Sequence, residues 1–438
     1  MNIQHIQQLY GDTSQAIALL KALKDTEAKS IFLKGLVASA APVFFSGVAA
    51  RAFRTMLFIL QDADEAGYFY HDLMQVMGQE NVLFFPSSYR RAIKYGQRDS
   101  ANEILRTEVL TRICSEKPCY IVTSPEAVAE LVVSKQQLND RTLRLTVGQT
   151  FDVVDMVKTL RNFNFKEVDY VYEPGQFAVR GSIVDIFSYS SEWPFRIDFF
   201  GDEIDTIRTF DVENQLSKDK KSDIEIVPEP ASLATEKIPF LHFLPKDAVL
   251  VMKDLMFIRD TIDCIYNEGF SSQAITERME GLTEMEQQIV MQEMQKERQL
   301  VSARQFIEDV ADFRHIYIGV QPTDAPSIII RFNITAQPLF HKNFALLRQT
   351  LDDYRQQSYQ IYILSDSKKQ QERLKEILNA IPNTGIEGQS TQEIFSKTAP
   401  LSLENLGETT LHAGFIDNDL RACFFTDHQI FDRFHKYN

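Results

Sequence analysis

Only one segment has the spacing of a nucleotide-binding loop. Such a loop needs glycines for close backbone approach, a lysine for the β- and γ-phosphates, and a serine or threonine for magnesium. Gly35 opens the segment, but Ala41 stands where the lysine belongs and Pro42 where the hydroxyl belongs. Proline also removes a backbone donor. The sequence therefore predicts a degenerate loop, no bound cofactor and no catalytic residue in this chain.

Other reactive side chains lack partners at a useful spacing. Asp62, Asp64 and Glu65 follow an apolar run, but without a phosphate loop such carboxylates more often cap the next helix. Cys114 and Cys119 have no second pair or nearby histidine at ligand spacing, which favours free thiols over zinc. We therefore predict no metal site.

Residues 89–98 interleave arginine and lysine with tyrosine, a pattern used by single-strand nucleic-acid surfaces. A solvated loop or helix face explains the same pattern more simply. The chain carries 61 acidic and 46 basic residues, a net charge of -15, whereas proteins that bind phosphates without sequence preference are usually basic. Composition therefore favours partner proteins over bare DNA.

Two arginines and an aromatic residue form a second candidate site. Arg180 and Arg196 are predicted on consecutive strands, and Phe200 lies four residues beyond Arg196 on the same face. Guanidinium groups beside an exposed ring are enriched at protein interfaces. Alternatively, Arg196 only neutralises Asp198 and Asp205, which the predicted hairpin places opposite each other. The residues alone leave both interpretations open.

The elements that would position these residues begin with alternating strands and helices. Before residue 143, apolar runs such as Thr55–Asp62 are each followed by a polar break and a helical stretch. This pattern predicts a parallel sheet in an α/β layer. Ser327–Asn333 predicts a strand that completes this layer. The last hundred residues predict another small α/β unit, including a strand over Thr409–Phe415.

The middle of the chain has a different pattern. Three short strands are predicted over Gln176–Phe187, Pro194–Phe200 and Glu203–Phe210, the last two joined by a two-residue turn at Gly201-Asp202. That turn would place Phe200 opposite Glu203. The sequence thus predicts a small antiparallel unit inserted into the first layer.

No membrane span is predicted. The longest apolar stretch, Leu36–Ala50, is interrupted by polar residues and proline and is shorter than the ~18 residues a span needs. Four cysteines in 438 residues are too sparse for a disulfide framework and fit a reducing cytosol. The expected location is therefore cytoplasmic.

A resemblance to a known family is carried by residues 168–217, VDYVYEPGQFAVRGSIVDIFSYSSEWPFRIDFFGDEIDTIRTFDVENQLS. This stretch resembles the module shared by the excision-repair protein UvrB and the bacterial transcription-repair coupling factors (Mfd). In both families the module is the docking surface for UvrA. The family residues implicated in UvrA contact carry over to Arg180, Arg196 and Phe200.

Two departures favour the coupling factors over UvrB. UvrB has an intact phosphate loop where this chain reads GLVASAAP, and it has a long DNA-gripping hairpin for which Ile121–Leu145 leaves no room. The N-terminal part of the coupling factors resembles this chain in lacking both the intact phosphate loop and the DNA-gripping hairpin. Residues 411–433 also resemble the segment that closes the third domain of that family.

The resemblance implies an α/β fold in three domains. A degenerate helicase-like parallel-sheet domain is interrupted by a small antiparallel α+β docking domain and followed by a second small α/β domain. The implied boundaries are 1–142 for domain 1a, 143–228 for the UvrA-binding domain 2, 229–335 for domain 1b and 336–438 for domain 3.

The resemblance also implies a function. The chain would be the UvrA-recruiting, UvrB-mimicking N-terminal platform of an ATP-dependent DNA translocase, which displaces stalled RNA polymerase and recruits nucleotide excision repair. ATP, magnesium, RNA polymerase and duplex DNA would bind parts of the parent protein outside this chain. The alternative is a UvrB-like damage-binding ATPase of nucleotide excision repair.

Overall fold

The structure is a computed structural model. It describes residues 3–25, 27–88, 100–229, 237–268, 279–287, 300–319, 321–322, 325–381 and 409–433. The basic and aromatic segment 89–98 lies outside the described residues. Within the described ranges, no helix combines the length and the apolar character that crossing a membrane requires.

The strands fall into three main sheets and two short pairs. In chain order they are β1 (Ser30–Lys34), β2 (Met56–Ile59), β3 (Val82–Phe85), β4 (Tyr120–Thr123), β5 (Val132–Val133), β6 (Leu143–Thr146), β7 (Lys166–Glu167), β8 (Gln176–Arg180), β9 (Ile183–Ile186), β10 (Phe195–Phe200), β11 (Glu203–Phe210), β12 (Ser217–Lys221), β13 (Asp223–Ile226), β14 (Lys237–Ile238), β15 (Val249–Met252), β16 (Arg314–Gly319), β17 (Ile328–Arg331), β18 (Ile334–Ala336), β19 (Gln360–Leu364), β20 (Phe415–Asp417) and β21 (Ala422–Thr426).

Helices alternate with the strands of the first and last parts. Those of the described residues are α1 (Ile3–Gly11), α2 (Ser14–Ala22), α3 (Ala40–Arg51), α4 (Ala63–Met77), α5 (Ser100–Cys114), α6 (Pro125–Val128), α7 (Lys135–Asp140), α8 (Val153–Asn162), α9 (Phe240–Phe243), α10 (Leu255–Glu268), α11 (Ala303–Val310), α12 (Phe344–Gln356), α13 (Lys368–Ala380) and α14 (Asp427–Ile430).

The first sheet has seven strands in the order β17, β1, β16, β15, β2, β4, β3, and every neighbouring pair is parallel. Strands such as β2 and β4 are buried along their whole length, as a sheet covered on both faces requires. The predicted parallel α/β layer is confirmed, and the predicted strand over Ser327–Asn333 is β17. Between Ile121 and Leu145 the chain forms only β4–β6 and two short helices.

The second sheet has six strands in the order β12, β11, β10, β9, β8, β7. Helix α8 covers one face, where Met156 and Leu160 join Phe177 and Ile197 in one apolar cluster. The prediction of a single strand over Gln176–Phe187 is wrong. Gly181 at φ +62° turns the chain, so the segment folds into the antiparallel pair β8 and β9.

The hairpin of β10 and β11 is confirmed at its tip, where Phe200 pairs with Glu203 across the Gly201 turn. Its predicted register is wrong further along. A shift between Asp198 and Phe199 places Asp198 opposite Thr206 rather than opposite Asp205. The physical reason is a β-bulge, which adds one unpaired residue to one strand.

The third sheet has the order β18, β20, β21, β19. The strand predicted over Thr409–Phe415 is wrong, because β20 begins only at Phe415. The residues before it contact the first sheet's helices instead, as described below. Phe58 of β2 and Phe424 of β21 belong to one apolar cluster, so the first and third sheets share a continuous core.

Candidate functional site

Arg180 and Arg196 meet at a buried carboxylate. Asp185 of β9 lies directly opposite Arg196 of β10, so the two arginines are not on consecutive strands as predicted but flank the strand between them. Arg196 Nε donates to Asp185 Oδ1 at 2.8 Å and Arg196 Nη2 to Oδ2 at 3.0 Å. Arg180 Nη2 also donates to Oδ2. The Asp185 side chain is only 1% exposed.

Arg196 is held by further contacts on its other side. Its Nη1 donates to the Gln215 backbone oxygen at 3.0 Å and its Nη2 to Gln215 Oε1 at 3.2 Å. The guanidinium lies 4.2 Å from the centroid of the Phe210 ring. Hydrogen bonding to Asp185 raises the pKa of Arg196 above its usual value. The side chain is 14% exposed and firmly cationic.

The predicted intramolecular alternative misses the carboxylate that Arg196 hydrogen-bonds, although the charge of Asp198 also helps to raise the pKa of Arg196. Asp198 accepts hydrogen bonds from Thr206 Oγ1 at 3.2 Å and from Arg208 Nη2, and Arg196 instead pairs with Asp185. Arg196 pairs with Asp185 because directly opposed residues of the antiparallel strands β9 and β10 lie on the same face of the sheet.

Phe200 and Arg180 lie at one end of the second sheet, next to the β10–β11 turn and the β8–β9 turn respectively. Phe200 ends β10 and is 84% exposed, more than any other large apolar side chain in the described part of the chain. Arg180 ends β8, is 35% exposed and stacks 5.0 Å from the centroid of Tyr170. Ile183 of β9 lies opposite Arg180 of β8 on one side and opposite Asp198 of β10 on the other. This end of the sheet therefore presents an aromatic ring and a partly accessible guanidinium to solvent.

The degenerate loop has become a packed turn. Gly35 has φ +99°, and a Cβ there would lie 2.5 Å from the backbone oxygen of Phe332. Ala41 and Pro42 are buried in the first turn of α3. These two residues supply neither an ammonium group nor a hydroxyl at the place where a nucleotide would need them.

Residues 412–413 close the N-terminal end of α3. Ser39 N donates to the backbone oxygen of Ala413 at 3.1 Å, and Ala413 N donates back to Ser39 Oγ at 2.9 Å. Asp72 of α4 accepts from Ser39 Oγ at 2.6 Å and from His412 N at 2.7 Å. In a working phosphate loop, the helix N-terminus faces the phosphate group. Here the chain's own backbone occupies that end, and we call this contact the closure.

Burial dominates the electrostatics of the closure. Asp72 is 3% exposed, and this burial raises its pKa to about 7 although the hydrogen bonds from Ser39 and His412 lower it. The His412 ring stacks on Tyr68 with centroids 3.7 Å apart. The closure is thus a buried polar contact between the helices of the first sheet and the segment leading into β20.

The remaining predicted residues have local roles. Asp62 caps α4, accepting from Glu65 N at 2.8 Å, as predicted for the carboxylates that follow β2. Cys114 and Cys119 are free thiols, and burial raises the pKa of Cys119 to about 11. Among the described residues, no group of three or more histidine, cysteine, aspartate and glutamate side chains could hold a metal ion.

Sequence reasoning missed Asp185 and Gln215. Asp185 interrupts the apolar run of β9, and a carboxylate within a buried strand requires cationic or hydrogen-bonding partners. That signal was available in the sequence. For Gln215 no comparable signal existed, because it reaches Arg196 from a loop.

Comparison with known proteins matches this region to a known family. Residues 143–231 match the UvrB interaction domain family. The chain is similar to a transcription-repair-coupling factor of Staphylococcus aureus (strain bovine RF122 / ET3-1), 28% identical over 204 residues, 47% of this chain and 17% of that protein. One from Bacillus subtilis (strain 168) is 26% identical over 200 residues, 46% of this chain and 17% of that protein. The matched part thus spans 17% of the length of these relatives. These matches confirm the resemblance to the N-terminal region of the coupling factors.

Proposed function

We propose that this chain is the UvrA-recruiting part of a transcription-repair coupling factor, with the second sheet as the docking surface. One observation carries the proposal. The segment that matches the UvrB interaction domain family builds the sheet whose turn end exposes Phe200 at 84%. An exposed aromatic ring contributes little to the stability of the folded chain, whereas interfaces concentrate their binding energy in a few such side chains.

Phe200 and Arg180 have different parts in the proposed contact. Phe200 supplies apolar area that loses water on binding. Arg180, which is 35% exposed, supplies a charge that steers association and selects the partner. The same face also carries Arg208, paired with Asp198, so a partner meets charges that already have defined positions.

We further propose that the first sheet is a scaffold without nucleotide turnover in this chain. The closure supports this proposal, because Ala413 lies against the N-terminal end of α3. ATP, magnesium, RNA polymerase and duplex DNA would be bound by parts of the parent protein that this chain does not include. A UvrB-like ATPase, the competing function, would have to displace the closure before nucleotide could bind.

Calorimetric titration of UvrA with the chain and its Phe200→Ala variant tests the docking surface. Burying a phenylalanine side chain contributes about 1.5–3 kcal/mol, which corresponds to roughly a 10- to 150-fold increase in Kd for the variant. Leu339→Ala is the matched control, since Leu339 is 63% exposed and lies outside the second sheet. Equal affinity of the wild type and Phe200→Ala would remove Phe200 from the contact.

Nucleotide titration separates the platform from the ATPase. A ligand that binds the folded state raises the melting temperature, so millimolar ATP with magnesium should leave the melting temperature of this chain unchanged. A concentration-dependent rise would instead support the UvrB-like ATPase.

A further inference from the structure

We infer that Asp185 is a positioning residue of the docking surface, which fixes Arg180 and Arg196 and, through Arg196, the turn at Gln215. The inference rests on the proposed function and deepens it, because it assigns different roles to two arginines that the family resemblance treats alike. Arg180 and Phe200 would touch the partner, whereas Arg196 would act from beneath the surface.

The carboxylate of Asp185 holds both arginines. Both oxygens of Asp185 accept from the fork of Arg196, at 2.8 and 3.0 Å, and Oδ2 also accepts from Arg180. Paired hydrogen bonds of this kind fix the plane of a guanidinium as well as its distance. A carboxylate that is 1% exposed has little access to water. Its charge is therefore balanced by the two arginines, which are held in place together.

The two arginines differ in how many of their donors are already used. Arg196 makes two hydrogen bonds to Asp185 and two to Gln215, and it lies over Phe210. With its side chain 14% exposed, it has little left to offer a partner. Arg180 donates to Asp185 and is 35% exposed. A guanidinium has five N–H donors in a fixed fork, so Arg180 retains donors for a partner.

Arg196 also bonds to the turn between β11 and β12. Gln215 has φ +61°, a left-handed conformation that is uncommon for a residue other than glycine. Its backbone oxygen and side chain both accept from Arg196, and its own Nε2 donates to the backbone oxygen of Val212 at 2.9 Å. The neighbouring Leu216 is 66% exposed. Arg196 thus helps to hold the turn that carries this exposed apolar side chain.

The test compares Asp185→Asn with the wild type in two measurements. Calorimetric titration with UvrA should give at least a tenfold higher Kd, because the neutral amide has no charge to hold either arginine. Nitrogen-15 NMR of the free chain should show faster solvent exchange at Arg196 Nε–H, which in the wild type donates to Asp185. The second measurement needs no partner, so it tests positioning even if the chain does not bind UvrA.

The matched control is Asp352→Asn. Asp352 pairs with Arg348 Nε at 2.8 Å in α12, with side chains 18% and 10% exposed, so its variant loses a partly buried arginine–carboxylate pair away from the docking surface. We expect both variants to lower the melting temperature, Asp185→Asn by more because Asp185 is more buried and pairs with two arginines, but we expect weaker UvrA binding for Asp185→Asn alone. If Asp185→Asn does not fold, Asp185→Asn with Arg196→Gln removes both charges together and should show the same loss of affinity.

The outcomes separate the inference from the function on which it rests. If Phe200→Ala weakens UvrA binding and Asp185→Asn does not, the docking surface stands and the positioning role is wrong. If the wild-type chain does not bind UvrA at all, the proposed function is wrong. In that case unchanged exchange at Arg196 Nε–H would overturn the positioning role as well.

Discussion

Raising the pH should weaken the closure, because Asp72 is buried there and must give up its proton. In the folded chain burial raises the pKa of Asp72 from 3.8 to about 7. The folded state therefore binds the proton more tightly than the unfolded state does. The stabilisation is fully present below pH 3.8 and is lost as the pH rises through about 7.

The magnitude follows from the shift in pKa. A rise from 3.8 to about 7, at 1.36 kcal/mol per unit, amounts to about 4 kcal/mol in all. Of this, about 2–3 kcal/mol is lost between pH 5 and pH 8. Asp72→Asn keeps the shape of the side chain but cannot ionise, so its free energy of unfolding should lack this component.

The assay is urea unfolding of the wild type and Asp72→Asn at pH 5, 6, 7 and 8. All other titrating groups are common to both chains, so the difference in free energy isolates Asp72 and should move by about 2–3 kcal/mol in favour of the variant as the pH rises. Amide exchange at His412, which donates to Asp72 at 2.7 Å, reports the closure directly. Asp12→Asn, in an exposed ion pair with Arg51, is the control. A difference that stays constant from pH 5 to pH 8 would show that the pKa of Asp72 is not raised in the folded chain.

Two further predictions concern stability. Gly35→Ala should destabilise the chain by about 1–3 kcal/mol, because φ is +99° and the Cβ would lie 2.5 Å from the Phe332 oxygen. Gly67→Ala in α4 meets nothing within 4 Å and should stabilise the chain by about 0.5–1 kcal/mol, so equal melting temperatures for these two variants would contradict the described backbone. Phe200→Ala should leave the melting temperature unchanged, since the ring is 84% exposed, and a large fall would mean that Phe200 is buried in the free protein.

Local signals in the sequence were enough for much of the fold and part of the site. Uninterrupted apolar runs with polar breaks predicted the parallel sheet, and Gly201-Asp202 predicted a turn that places Phe200 opposite Glu203. The placement of Phe200 on the same face as Arg196 also followed from alternation along a strand. These features depend on a few neighbouring residues, so the sequence carries them directly.

The sequence alone thus determined the order of the elements, the loss of lysine and hydroxyl from the phosphate loop, and the residues that resemble a docking module. Only the tertiary structure decided that Asp185 lies between the two arginines, that a bulge separates Asp198 from Asp205, and that Ala413 closes the end of α3 near Ser39. Each of these depends on the pairing of strands or on contacts between residues hundreds of positions apart. Whether a buried charge is paired or a helix end is covered depends on which distant groups packing brings within hydrogen-bonding distance, and local pattern does not encode that choice.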